Sequence, residues 1–497
     1  MPQMVILGAD PLSIEDVVRV ARGGAEVRLT GGARTRIANG RALLEERLRR
    51  GERIYGVNTG VGGNVGISLA PEHMETLQHN LVTYLGCATG APLPADVVRA
   101  AILLRIATFA TGASAVRNEL VDALGALLNR GVTPVVPRYG SVGASGDLMP
   151  SAYIARVLVG QGQVDYAGKR VPALDALREA HIYPVRFAPK EALALINGTT
   201  VMTAVAALLQ VDASRVLRAL LQGIALSIEA MQAPALPFAP WVHERKGHPG
   251  QIAVAAYLRR MIERSAYTQD SSGQSCYSLR CVPQGLGQVW EAIEDARPVI
   301  EREINSANDN PLIDPQTGDL YKAGNFYGGH IARLLDGWKI DFASMANWAN
   351  ALIALLVDDR FNHGLPANLV PEPGVNSGFK SIQLSMTSLA CAIRQMAGPS
   401  SIHSLPTEQY NQDIVSLGMH AAITAMDALE CLRNEIAMLL LAAAQAVDLR
   451  GGPNRLGCGS AEAYARIREL SPFYEKDRAL EQDVAAAANL IAAGAMD

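Results

Sequence analysis

Three patterns are missing from this 497-residue sequence: a CxxC pair, a long basic run and period-two alternation of apolar residues. Each absence excludes something. The six cysteines (Cys87, Cys276, Cys281, Cys391, Cys431 and Cys458) are scattered without paired spacing, so no disulfide framework is expected and they read as reduced thiols in a reducing compartment. The net charge is −4, and nothing in the charge pattern calls for nucleic acid or an anionic membrane as partner. Met1-Pro2-Gln3-Met4-Val5 lacks a basic n-region, so no secretory signal is expected. No apolar run approaches the length that spans a bilayer. A cytoplasmic location follows as an expectation. Aromatic residues make up only 5% while alanine and leucine abound, which favours helices over sheet.

Hydrophobic residues reach 49% against 19% charged, enough for a globular protein with a large core. Ser13-Ile14-Glu15-Asp16 has the form of a capping box before an apolar helix. Gly51 to Gly66 reads as a loop, and Leu77, Leu81, Tyr84, Leu85 and Ala88 recur at helical spacing. Pro134 and Pro137 break regular structure. Near Thr200 the texture changes. Stretches 201–232 (ended by Pro234), 331–359, 378–397 and 412–446 read as helices well above the usual length of about 11–12 residues. Residues 436–444 are apolar nearly all round, as in a bundle centre or between subunits. The stretch 357–379, with Pro366, Pro371 and Pro373, reads as a long irregular loop. The chain is thus expected to be mainly α, with residues 1–200 and 201–497 as two regions.

One tripeptide can do chemistry on its own backbone: Ala144-Ser145-Gly146, inside Gly140-Ser141-Val142-Gly143-Ala144-Ser145-Gly146-Asp147-Leu148. If the Gly146 nitrogen attacks the Ala144 carbonyl, a five-membered ring closes. Loss of two waters then leaves an exocyclic alkene from Ser145, an electrophile that no standard side chain supplies. Gly146 has no Cβ to block the approach. Such a triplet arises easily by chance, so its company decides. That company is Tyr55-Gly56-Val57-Asn58-Thr59-Gly60-Val61-Gly62, Asn197-Gly198-Thr199, Tyr277-Ser278-Leu279-Arg280-Cys281-Val282-Pro283-Gln284, Asn305-Ser306-Ala307-Asn308-Asp309-Asn310-Pro311, Gly324-Asn325-Phe326 and Thr407-Glu408-Gln409-Tyr410-Asn411-Gln412-Asp413. Taken singly, these read as turns, a surface arginine, a core phenylalanine and a helix-start acid. The glycine run from Gly60 to Gly66 does not fit GxGxxG, which argues against a nucleotide site.

Together and in this order the segments resemble the histidine, phenylalanine and tyrosine ammonia-lyase family, over most of the chain. The resemblance implies a mainly α fold of the fumarase/aspartase-like superfamily: an N-terminal region bearing 4-methylideneimidazole-5-one (MIO), a long central helical bundle and a homotetramer with active sites shared between subunits. The chain has no room for the C-terminal insertion of the plant and yeast phenylalanine enzymes. The implied reaction is elimination of ammonia from an aromatic amino acid, with MIO formed from Ala144, Ser145 and Gly146 and no metal or nucleotide. His243 and His248 resemble a family loop rather than a ligand set, and His79 and His420 read as structural.

The resemblance assigns roles residue by residue. Tyr55 is the β-proton base on a mobile inner loop, which requires neighbours that depress a phenol pKa of about 10. Asn197 supports the MIO carbonyl as an oxyanion-type donor. Tyr277 stands near the electrophile and acts on the amino group or in protonation. Arg280 clamps the substrate carboxylate through its planar fork, with Asn310 beside it. Phe326 packs near the electrophile, and Glu408 lies near the substrate amine. Asn411 also falls among the substrate-binding positions, and Gly62, Leu148 and Gln274 are supporting. Tyr84-Leu85 falls on the selectivity pair, which is Ser-His in histidine enzymes, His-Leu in tyrosine enzymes and Phe-Leu in phenylalanine enzymes. Gln412 stands where the histidine enzymes place an imidazole-binding glutamate. Leu85 and Gln412 argue against histidine, since buried polar groups of the substrate would lose their partners. Tyrosine, phenylalanine and a more hydroxylated substrate stay open. The same residues would serve a 2,3-aminomutase, which holds the ammonia for re-addition. A helical scaffold with a decayed site is the non-catalytic alternative.

Overall fold

The computed structural model describes residues 4–268 and 274–496. Helices dominate, and the strands among the described residues are segments of two to four residues in small sheets. Contacts divide the chain into two units. One takes residues 1–209, 297–335 and 399–423, and the other 210–296, 336–398 and 424–497.

The first unit opens with a parallel strand pair, Met4–Leu7 and Glu26–Leu29, connected through the helix Ile14–Ala21. The capping box forms as expected: the Ser13 hydroxyl accepts from the Asp16 N–H at 3.1 Å, and the Asp16 carboxylate accepts from the Ser13 N–H at 3.0 Å. The helix Ala95–Ala110 is buried nearly all round, with Ile102, Leu104, Ile106 and Phe109 inside, and packs on Ile14–Ala21 and Asn118–Asn129. Each such side chain contributes about 1.5–3 kcal/mol by leaving water. Three further helices pack against one another: Met74–Tyr84, Leu148–Leu158 and Glu191–Ile196. Their ends position the site. The first ends at the Tyr84-Leu85 pair, the second begins just after Ala144-Ser145-Gly146, and the third ends at Asn197.

The second unit is built on long helices. Thr200–Ala230, Val282–Ile304, Gly329–Val357 and Gly418–Arg450 each contribute residues to both units. Within this unit Ile436, Leu439, Leu440, Ala442, Ala443 and Ala444 are fully buried, as their unbroken apolar run requires. A Cβ added at Gly223 would lie only 3.3–3.6 Å from the Leu439 and Leu440 side chains, so the glycine leaves room for close packing there. Glu435, on the same apolar helix, is fully buried, and neither carboxylate oxygen has a hydrogen-bond partner among the described residues.

Three of the expected long helices lie within two residues of their sequence limits: Thr200–Ala230, Gly329–Val357 and Lys380–Met396. The fourth starts at Gly418, not near residue 412. Leu417 takes a left-handed φ of 51°, which stops the helix from reaching back, and residues 407–416 serve the site instead. One expectation is corrected. The helix Gly329–Val357 is long and apolar enough to cross a bilayer by length and composition, with a mean hydropathy of 1.4 over its most apolar window. Half of that window is buried within the protein, and the helix carries an ion pair, Asp336 with Lys339 at 2.8 Å, so it reads as a core helix.

Candidate active site

Residues 144–146 form a tight turn that bridges back on itself, Ala144 and Gly143 each pairing with Gly146. Gly143 and Gly146 hold φ of +74° and +72°, conformations that only glycine adopts without strain. Gly146 also lies beside Gly198. A Cβ on Gly146 would run into the Gly198 carbonyl, so the close approach requires glycine. Gly198 grips the turn at two points: its N–H donates to the Ser145 carbonyl at 3.1 Å, and its carbonyl accepts from the Asp147 N–H at 2.7 Å. On another side, Ser416 donates its hydroxyl to the Gly143 carbonyl at 3.2 Å and the Leu417 N–H donates to the Val142 carbonyl at 3.1 Å. Ser141 donates to the Gly146 carbonyl at 3.1 Å. The turn is therefore held from three parts of the sequence.

Asp147 follows the triplet and stands at the N-terminus of the helix Leu148–Leu158, without a side-chain cap bond to it. Its Oδ2 accepts the N–H groups of Val201 and Met202, both at 2.8 Å, at the start of Thr200–Ala230. Burial still dominates and pushes its carboxyl up to about 7, against those two N–H groups and the charge of Arg105. The triplet thus sits before a helix N-terminus, where the macrodipole favours developing negative charge.

These observations fit an MIO group. The turn brings Ala144 and Gly146 together, and Gly198 offers an N–H to the Ser145 carbonyl. The buried Asn197 Oδ1 and Asp147 Oδ1 have no hydrogen-bond partner among the described residues, as polar atoms left for a group of different shape would be.

The inner loop and the 407–412 segment meet near this turn. The Tyr55 hydroxyl accepts from the Gly62 N–H at 2.9 Å. Glu408 accepts from the neighbouring Gly63 N–H with both oxygens, at 2.9 and 3.2 Å. Glu408, Gln409 and Tyr410 all take left-handed φ values of 48–62°, a run that non-glycine residues seldom sustain. Gln412 reaches the triplet: its Nε2 lies 3.5 Å from the Ser145 hydroxyl, and its Oε1 accepts from Thr407 at 3.0 Å. Asn411 is exposed. The expected depression of the Tyr55 phenol is not found. Burial pushes it up, the Gly62 N–H pulls it down, and the Glu408 charge raises it again. Tyr84 is 62% exposed, yet desolvation, then Glu408 and Tyr55, raise its phenol as well. Leu85 is buried beside it.

Sequence reasoning missed several supports. Fully buried Gln78 donates to the Gly56 carbonyl at 3.0 Å and accepts from Ala192 and Leu193 N–H, tying the inner loop to the helix that ends at Asn197. Arg105, Ser416 and Glu303 were equally silent, and Glu303 accepts from the Thr199 hydroxyl. Asn310 is buried, and its side-chain oxygen accepts from the Ala323 N–H at 2.9 Å. Phe326 is half-buried. Its neighbours Asn325 and Tyr327 line a cavity of about 630 Å³ with Glu303, His330 and Arg333. Tyr277, Arg280 and Gln274 belong to the second unit. There the Arg280 guanidinium stacks 4.7 Å from the Tyr277 ring centroid and donates to the Ser275 carbonyl at 2.9 Å, while Tyr277 and Gln274 are exposed.

The sequence pattern described as aromatic amino acid lyase matches residues 12–469. A hal-like protein of Dictyostelium discoideum is 40% identical over 98% of this chain and 96% of its own. A protein named histidine ammonia-lyase from Anaeromyxobacter sp. strain K is 40% identical over the full length of both. Among solved structures, a tyrosine aminomutase from Streptomyces globisporus superposes with a TM-score of 0.95 at 32% identity, over 99% of this chain and 97% of that one.

Proposed function

Because the chain belongs to the aromatic amino acid lyase family, carbon–nitrogen lyases that in general depend on MIO, we propose that it eliminates ammonia from L-tyrosine or L-phenylalanine to give the trans-arylacrylate. The observation that carries this reading is the self-bridged turn at Ala144-Ser145-Gly146, with the Gly198 N–H on the Ser145 carbonyl. MIO, formed from that triplet, supplies the electrophile that makes the substrate amine a better leaving group.

The chain's own residues do the rest. Tyr55 takes the β-proton at its phenol oxygen, with Gly62 and the inner loop excluding water. Asn197 and the Gly198 N–H draw electron density from the Ser145 carbonyl. Leu148 starts the helix whose N-terminus faces the turn. Arg280 and Asn310 bind the substrate carboxylate. Tyr277 acts at the amino group, with Gln274 supporting. Glu408 and Asn411 lie towards the amine, and Phe326, Tyr84 and Leu85 surround the aromatic ring. Residues 1–200 carry the electrophile and the inner loop, and 201–497 supply the long-helix bundle. A homotetramer in the cytoplasm, with sites shared between subunits, completes the reading. The six free thiols suit a reducing compartment.

Leu85 and Gln412 support a phenyl or phenol ring over imidazole. Leu85 offers a buried aliphatic surface, and Gln412 an amide already bonded to Thr407 rather than a free acid. The names of the relatives keep histidine as an outcome to be measured. A second reading, a 2,3-aminomutase, is favoured by the match to the Streptomyces enzyme. One assay separates all of these. Phenylalanine, tyrosine, dihydroxyphenylalanine and histidine are supplied in parallel, conjugated arylacrylate is followed by ultraviolet absorbance, and β-amino acid by chromatography. Arylacrylate from tyrosine or phenylalanine is expected. Urocanate as the dominant product would overturn the substrate reading, and β-amino acid with little arylacrylate would overturn the lyase reading.

A further inference from the structure

Arg105 lies on the helix Ala95–Ala110, is 3% exposed and makes no contact ion pair among the described residues. The two acids whose charges act on it are otherwise engaged: Asp309 pairs with buried Lys190 at 2.6 Å, and Asp147 Oδ2 takes the Val201 and Met202 N–H groups. The guanidinium is spent on the segment beside the triplet. Nη1 donates to the Asn197 carbonyl at 2.9 Å and Nη2 to the Thr200 hydroxyl at 3.2 Å, while Nε has no hydrogen-bond partner among the described residues. A buried cation aimed at a neutral carbonyl needs a reason, because desolvation makes it costly.

The Asn197 carbonyl and the Gly198 N–H belong to one peptide group. A charge-assisted bond to that carbonyl polarises the group and strengthens its N–H as a donor. The N–H points at the Ser145 carbonyl, 3.1 Å away. A continuous chain therefore runs from the Arg105 guanidinium through one peptide to the carbonyl of the residue that must be dehydrated.

We propose that Arg105 is a positioning residue for maturation of the electrophile: through the Asn197–Gly198 peptide it holds and polarises the donor that activates Ser145. The inference rests on the MIO reading above. In the first stage the Gly146 nitrogen bonds to the Ala144 carbonyl carbon. The carbonyl oxygen leaves as water with the hydrogens of the Gly146 and Ser145 nitrogens. In the second, the Ser145 Cα–H proton and the Ser145 hydroxyl leave as water, and the Cα–Cβ double bond forms. No electrons are gained or lost overall. A donor on the Ser145 carbonyl acidifies the Cα–H, so the second loss depends on the Arg105 chain most directly.

The test is intact-protein mass with time after synthesis, on the full chain, with thermal melting and size as controls for folding. Arg105→Gln is expected to slow the loss of two waters about tenfold or more, the effect of one charge-assisted hydrogen bond, with the chain held unmodified or one water lighter. Arg105→Lys, which keeps the charge but cannot span both acceptors, should recover part of the rate. Thr200→Val removes only the second acceptor and should slow maturation less. Arg105→Gln maturing at the unsubstituted rate would overturn the inference. If Arg105→Gln does not fold, Arg105→Lys and Thr200→Val decide, and unsubstituted rates in both overturn it. An unsubstituted chain that never loses two waters sinks the MIO reading and the inference with it, whereas maturation of the unsubstituted and Arg105-substituted chains at equal rates sinks the inference alone.

Discussion

Tyr55 and Glu408 share an electrostatic problem. The phenol must give up its proton to act as a base, yet burial and the Glu408 charge both push it up, and only the Gly62 N–H works the other way. Removing the Glu408 charge should lower the Tyr55 pKa. Glu408→Gln is thus predicted to move the ascending limb of the kcat/KM pH profile to lower pH, whatever it does to the maximum rate; an unmoved limb would break the coupling. Tyr55→Phe should still lose two waters but eliminate ammonia about 10²–10⁴-fold more slowly, as expected for a lost general base. Full turnover in that variant would refute the assignment. Tyr55, Asn197 and the triplet could be proposed from the sequence because short motifs carry them. Gln78, Arg105 and Ser416 were not. Their partners lie 114, 92 and 273 residues away, and a single sequence holds no sign of such pairings.

Helices show the same division between local and distant information. Apolar periodicity placed Thr200–Ala230, Gly329–Val357 and Lys380–Met396, since a buried face repeats along the helix that makes it. It ran too far ahead of Gly418–Arg450 because Ile414 and Val415 continue the apolar pattern, while the left-handed Leu417 ends it in space. Within that helix the buried Glu435 carboxyl is pushed up to about 9 by desolvation, with Arg394 pulling it down only weakly. A carboxyl raised on folding favours the folded state below its unfolded value, and that contribution drains away as pH climbs through its folded value. Between about pH 5 and pH 9 this residue should therefore lower stability steadily. Glu435→Gln is predicted to flatten the dependence and to raise the melting temperature on the alkaline side by one to a few degrees, read from melts across that range. An unchanged slope would mean that the carboxylate finds a cation in the assembled protein.

At the scale of the whole molecule, the residues assigned to one reaction are split: Tyr55 and the triplet belong to the first unit, Tyr277 and Arg280 to the second. If sites are shared between subunits, Tyr55→Phe and Arg280→Ala chains, each strongly impaired alone, should regain activity when co-assembled from denatured mixtures, because some sites would then draw both wild-type residues. No recovery would confine each site to a single chain. The change of texture near Thr200 was legible as composition. That 297–335 and 399–423 pack with the first 209 residues was not, since nothing local marks it.

The grip on the triplet from Ser416 and Leu417 also orders events in time. Val142 and Gly143 emerge from the ribosome early, but the partners that hold their carbonyls arrive some 270 residues later. Until then the turn lacks the hydrogen bonds that Ser416 and Leu417 give it. On the proposed maturation, a partly made chain would carry an ordinary serine, and the alkene would form only after the segment that holds the turn has been synthesised and folded. The order in which its residues are made would then protect the protein from its own electrophile.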